Sequence, residues 1–167
     1  MARVFVAGGS GLLGAALVRA LLERGDTVVA LARSEASADA LAASGAEVRR
    51  GEITDVRALR QAMEGCELAF NLAGVNGFCM RGEDALAMRR ANVDGAVAAV
   101  RAAHEAGVRR LVHTSSAATI GEAPGVIADE WTAHRGWYLS LYEQTKTLGE
   151  RAALASATAL GQELVLV

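Results

Sequence analysis

The stretch Val6–Leu17, VAGGSGLLGAAL, decides the fold. It grows out of an apolar run, Arg3–Ala7 (RVFVA), that reads as a buried strand. It opens a segment, Gly11–Arg24, whose apolar residues recur at helical spacing until Gly25 and Asp26 stop it. Gly8, Gly11 and Gly14 are spaced by three across the join. Glycines at such a turn allow a tight bend and let the backbone approach a pyrophosphate. The N–H groups of Leu12 and Leu13, with Ser10 beside them, would then meet the phosphate charge at the positive end of the helix. A cradle of this kind directly after a strand predicts a Rossmann dinucleotide site.

Working outward, apolar runs and helical patterns alternate to the end of the chain. Strands are expected at Thr27–Ala32, Glu47–Arg50, Leu68–Ala73, Arg110–Ser115 and Glu163–Val167. Helices are expected at Ser34–Ser44, about Asp55–Glu64, Glu83–Ala106 and Leu139–Ala159, with Ser34 and Asp55 as N-caps. Continuous rather than alternating apolar strands imply a sheet covered on both faces. Right-handed crossovers then give a doubly wound parallel α/β sheet of six strands in order 3-2-1-4-5-6, one nucleotide-binding domain over residues 1–167. The segments Val75–Gly82 and Gly121–Asp129 read as exposed loops at strand C-termini, where open α/β sheets bind ligands.

The end of the second strand selects the cofactor in such a fold. An acidic side chain there grips the ribose of NAD, but this chain has Ala32, Arg33 and Ser34. Nothing repels a 2′-phosphate, Arg33 can pair with it and Ser34 can donate to it. NADP is therefore expected ahead of NAD. Glu52 and the Ile53 backbone are placed to read the adenine, and Leu72, Ala73 and Gly74 would let ribose and nicotinamide lie close over the sheet.

Tyr142 and Lys146 lie four residues apart in a helical pattern and so share a face. An ammonium near a phenol favours phenolate, which suits the phenol to exchange a proton with a carbonyl or alcohol oxygen. Lys146 is the sole lysine beside sixteen arginines, which marks it as a position where Arg does not serve. Ser116, in His113–Gly121 (HTSSAATIG), is the hydroxyl expected beside the reacting oxygen. Trp131 and Trp137 either line a substrate entrance or pack beneath a loop. Asn92, on the long helix, satisfies either a local backbone break or a water near the reacting centre.

Composition narrows the alternatives. Acidic residues number 19 against 17 basic ones and aromatics are 4%, so neither a phosphate-tracking face nor a base-stacking platform is expected. No apolar stretch reaches the ~18 residues of a membrane span, and the N-terminus lacks a signal-peptide layout. Two cysteines, Cys66 and Cys79, are too few for a disulfide framework and read as inert, which fits a cytoplasmic location. His104, His113 and His134 show no metal-ligand spacing.

The runs ALAR, GCELAFNLAG, ANVDGAVAAVRAAHEAGVRRLVHTSSAATIG and YEQTKTLGE resemble the extended short-chain dehydrogenase/reductases, also described as NAD-dependent epimerase/dehydratases, and most of all their dihydroflavonol-reductase-like branch. The resemblance implies a catalytic triad of Ser116, Tyr142 and Lys146. It implies a dinucleotide loop at Gly8, Gly11 and Gly14, and cofactor contacts that include Asn92 and Thr114. It also implies a homodimer joined through helices 83–106 and 139–159. Ala117 and Ala118 stand where sugar-nucleotide 4,6-dehydratases carry an acidic pair, which disfavours dehydration of that kind. Members of the family continue past the sixth strand into a substrate-binding half, so the chain is expected to be partial. Three functions follow as expectations: an NADP-preferring reductase acting on a small-molecule ketone or alcohol, an NAD-dependent nucleotide-sugar epimerase, or a dinucleotide-binding module without turnover.

Overall fold

Every strand begins where the sequence pattern places it, and six of them form one parallel sheet in order β3-β2-β1-β4-β5-β6. They are β1 (Arg3–Ala7), β2 (Thr27–Ala32), β3 (Glu47–Arg50), β4 (Leu68–Asn71), β5 (Arg110–His113) and β6 (Glu163–Leu166). This computed structural model describes residues 1–77, 79–121, 123–125 and 127–167. Positions 78, 122 and 126 of the two expected loops lie outside the described residues. The helices are α1 (Leu12–Glu23), α2 (Glu35–Ala43), α3 (Val56–Met63), α4 (Gly82–Arg89), α5 (Gly95–Glu105) and α6 (Leu141–Leu160).

Alternate residues of β1 feed opposite faces, as the two-residue period of a strand requires. Val4 and Val6 join Val18, Leu21, Val28 and Leu41 beneath α1 and α2. Phe5 and Ala7 join Leu59, Met63, Val100, Leu111 and Ala153 beneath α3, α5 and α6. Side chains such as Phe5, Leu59 and Met63 are almost wholly excluded from water. At about 25 cal/mol per Å² of apolar surface, each contributes on the order of 1.5–3 kcal/mol.

Strand and helix ends are set by local chemistry. Ser34 accepts from the Ser37 N–H in a reciprocal capping box, and Asp55 accepts from the Ala58 N–H, as expected of both. The last helix starts at Leu141 rather than Leu139. Ser140 is its cap, accepting from the Glu143 N–H, while the Leu139 N–H is taken by the Glu143 carboxylate at 2.7 Å. β4 and β5 each stop two residues short of the expected end, so the chain is already turning at Leu72 and Thr114.

The long helix departs most from its sequence pattern. It is not continuous over 83–106: α4 and α5 are joined by a single π-type turn, Arg90–Asp94. The widened turn brings the Asn92 backbone against α6, where a Cβ on Gly149 would lie 2.0 Å from the Asn92 carbonyl oxygen. Only glycine lets the two helices approach so closely. The buried Asn92 side chain is consumed there as well, accepting from the Val75 N–H and donating to the Val75 carbonyl and to Thr145 Oγ1.

Candidate active site

The turn after β1 is closed by contacts that exclude any side chain. A Cβ on Gly14 would sit 2.0 Å from the Gly8 carbonyl oxygen, and one on Gly8 would sit 2.7 Å from the Ala73 nitrogen. Gly11 differs from both. Its φ of −78° and ψ of 173° suit any residue, and a Cβ would meet only the Gly8 oxygen at 3.4 Å. Neither backbone nor packing within the turn requires glycine at that position, which faces the cleft. Here α1 begins with no side-chain cap, and Leu12 and Leu13 are exposed. Its first N–H groups are thus available to an anion.

A cleft of about 310 Å³ runs from this turn along the C-terminal ends of the strands. Gly8, Ser10, Gly11, Arg33, Ser34, Glu52, Ile53, Leu72, Ala73 and Gly74 line it, all of them expected from the sequence. The residues therefore fit a dinucleotide. Among the described residues Arg33 has no ion-pair partner, and it stands exposed beside the start of α2. The Ser34 hydroxyl is already committed to its capping box, so its expected role as a phosphate donor is not free as drawn. Of the other expected cofactor contacts, Leu12, Leu13, Thr114, Tyr142 and Lys146 are not among the lining residues, nor are Gly14, packed under Gly8, and Asn92, which braces Val75.

Lys146 is buried on α6, and its Nζ donates to the Thr114 carbonyl at 2.7 Å. Thr114 thus serves through its backbone. Burial pulls the Lys146 pKa down, and the Glu150 carboxylate one turn on works against that fall. Tyr142 is half-buried one turn before Lys146, and among the described residues no hydrogen bond joins them. Ser116 heads a short 3-10 turn, Ala117–Thr119, its oxygen accepting from the Ala118 N–H at 3.2 Å. It lines a second cleft, of about 550 Å³, together with Ser115, Thr119, Glu130, Thr132, His134 and Glu150.

Several residues that shape this region carry no periodic signal in the sequence. Glu143, next to Tyr142, is buried, bonded to Arg135 and 3.6 Å from His134 Nε2. Arg135 also stacks 4.6 Å over the Trp137 ring. Trp137 is half-exposed and Trp131 almost fully so, which speaks against packing beneath a loop, and neither is among the residues that line the two clefts. Among the described residues no group of three His, Cys, Asp or Glu could hold a metal ion. Cys66 is buried and free, and burial raises its thiol pKa. Among the described residues no helix is long and apolar enough to cross a membrane.

Comparison with known proteins agrees with the sheet order. Residues 4–167 match the model of the NAD dependent epimerase/dehydratase family. The chain belongs to this family. It is 37% identical over 153 residues to sterol demethylase protein B of Methylococcus capsulatus, covering 91% of this chain and 46% of that protein. It is also 37% identical over 165 residues to a putative dihydroflavonol 4-reductase of Synechocystis, covering 98% and 47%. Among solved structures, a short-chain dehydrogenase/reductase superfamily protein from Agrobacterium tumefaciens with bound NAD superposes with a TM-score of 0.82 at 27% identity, covering 98% of this chain and 48% of that one. The chain therefore spans about half the length of the curated relatives it matches. The curated relatives include a reductase and a dehydrogenase/isomerase.

Behind the site, His113 at the end of β5 is buried, with Nδ1 3.1 Å from Asn71 Nδ2. The amide donates, so the ring accepts at Nδ1 and is neutral with its proton on Nε2. Burial, aided by the Lys146 charge, pushes its pKa down from 6.5 to about 4. The unfolded chain then binds more protons than the folded one between these values, so stability falls as pH drops from 6.5 to 4. The loss attributable to this ring is at most about 3 kcal/mol. Urea unfolding across that range should show a shallower acid dependence in His113→Gln than in wild type; parallel profiles would contradict the assignment.

Proposed function

We propose that the chain is the nucleotide-binding and catalytic part of an NADP-preferring oxidoreductase that interconverts a ketone and an alcohol. The observation that carries this reading is the bond that holds α6 to the C-terminal edge of β5. The sole lysine anchors its ammonium at Thr114 there, two residues from Ser116 and one helical turn from Tyr142. Ala73 and Gly74, which line the cleft, would hold a nicotinamide whose chemistry would be to supply or accept a hydride. Tyr142 gives its phenolic proton to the carbonyl oxygen during reduction, and takes it back from the hydroxyl in the reverse direction. The Lys146 ammonium stabilises the tyrosinate left behind. Ser116 has a hydroxyl proton that no acceptor takes among the described residues, and it donates to the same substrate oxygen.

The cofactor preference rests on Arg33 at the cleft and on Ala32 where a carboxylate would grip an unphosphorylated ribose. The likeness to a putative dihydroflavonol 4-reductase supports the reductase reading over an epimerase. Under the same reading a second copy packs along α4 and α6, where Leu86 and Leu154 leave apolar side chains exposed.

Two outcomes are expected. In calorimetric titrations at one ionic strength, wild type binds NADPH more tightly than NADH, and the Ala32→Asp/Arg33→Ser double variant reverses that order. An unchanged order would remove Arg33 from the phosphate site. With any ketone that the wild type reduces, Tyr142→Phe still binds NADPH but loses about 10²–10⁴-fold in turnover. Retained turnover would take Tyr142 out of the proton-transfer role.

A further inference from the structure

Among the described residues Ser116 makes no direct bond to α6, yet under the reading above it must keep a fixed distance from Tyr142 and Lys146 on that helix. The residues on either side of it supply the link. Ser115 Oγ donates to Glu150 Oε2, and Thr119 Oγ1 donates to the same oxygen at 3.1 Å. The Thr119 hydroxyl is shared with the Ser116 carbonyl at 2.8 Å. Just upstream, the Lys146 Nζ bond to the Thr114 carbonyl forms another rung. Segment 114–119 is thus laced to one face of α6 by Lys146 and by the residue four positions on, which shares that face.

We propose that Glu150 is a positioning residue: its carboxylate brackets Ser116 from both sides and fixes the Ser116 turn against the Tyr142 and Lys146 face of α6. The proposal rests on the reading of Ser116, Tyr142 and Lys146 given above. A glutamine could occupy the same space, but a neutral amide oxygen accepts two hydroxyl bonds more weakly than a carboxylate does. An ionised Glu150 also sets the charge around Lys146. Glu150 on α6 favours the ammonium, whereas burial works against it and the neutral His113 ring on β5 adds no charge.

The composition provides an unusually direct test. Because Lys146 is the sole lysine, protein grown with ε-¹³C-lysine gives one side-chain resonance, whose midpoint can be followed by pH titration without substrate or cofactor. In Glu150→Gln the Lys146 midpoint should fall, since a favourable charge is lost. The amide signals of residues 115–119 should shift in the same variant. Glu150→Asp restores the charge but not the reach, so it should recover the midpoint while the 115–119 amides stay displaced. Thr119→Val, which deletes one rung and leaves the charge in place, should displace the same amides with the midpoint kept, and it serves if Glu150→Gln fails to fold. A folded Glu150→Gln protein with wild-type midpoint and wild-type amides would overturn the proposal, as would undisplaced amides in Thr119→Val. Parallel NADPH calorimetry on wild type separates this result from the functional reading: absent binding would count against the cofactor site alone, with the lysine titration still deciding the role of Glu150.

Discussion

The contact on which the rest of the molecule depends is the one between Gly8 and Gly14. The carbonyl of the first occupies the space where the second would carry a side chain. This contact fixes how steeply the chain turns out of β1 and therefore where α1 starts. Because α1 begins there without a cap, its free N–H groups and its dipole both point at one spot above the strand ends. Gly8 performs a second task by touching the backbone of Leu72 and Ala73, which ties the β1 turn to the β4 turn. The floor of the cleft is thus backbone on both sides, and backbone is what a flat dinucleotide can approach.

A second constraint joins the reactive side chains to that floor. The π-type turn at Arg90–Asp94 lets Asn92 brace Val75 beyond β4 while its own carbonyl nests against Gly149. The position of α6, which carries Tyr142, Lys146 and Glu150, is therefore set by the same turn that holds the strand-four loop. From α6, Lys146 and Glu150 reach back to segment 114–119 at the end of β5. The cleft floor, the Tyr142–Lys146 face of α6 and the Ser116 turn are joined by short-range contacts.

Much of this is legible in the sequence, for identifiable reasons. Strand order and the cleft wall follow from local patterns: buried strands read as unbroken apolar runs, Ser34 and Asp55 announce their caps, and the glycine spacing sits at the one turn where it has meaning. What escapes notice depends on partners far apart in the chain. Asn92 reads as an odd polar residue in an alanine-rich helix, and only the fold reveals Val75 and Gly149 as its neighbours. Glu143 and Glu150 look like ordinary surface charges at helical spacing. The first is buried against Arg135 and the second binds hydroxyls 31 and 35 residues away. Gly11 and Gly14 look alike in sequence and play opposite parts, one open to the cleft and one filled by the protein itself.

That difference between the two glycines supplies the most direct test of the central claim, that the turn after β1 cradles a dinucleotide. The measurement is NADPH calorimetry on Gly11→Ala, with a denaturation curve for the same protein. The fold accepts the added methyl group, so stability should stay within about 1 kcal/mol of wild type. NADPH affinity should drop at least about tenfold, because the methyl group stands where the pyrophosphate approaches the backbone. A stably folded Gly11→Ala protein that binds NADPH as tightly as wild type would contradict the account.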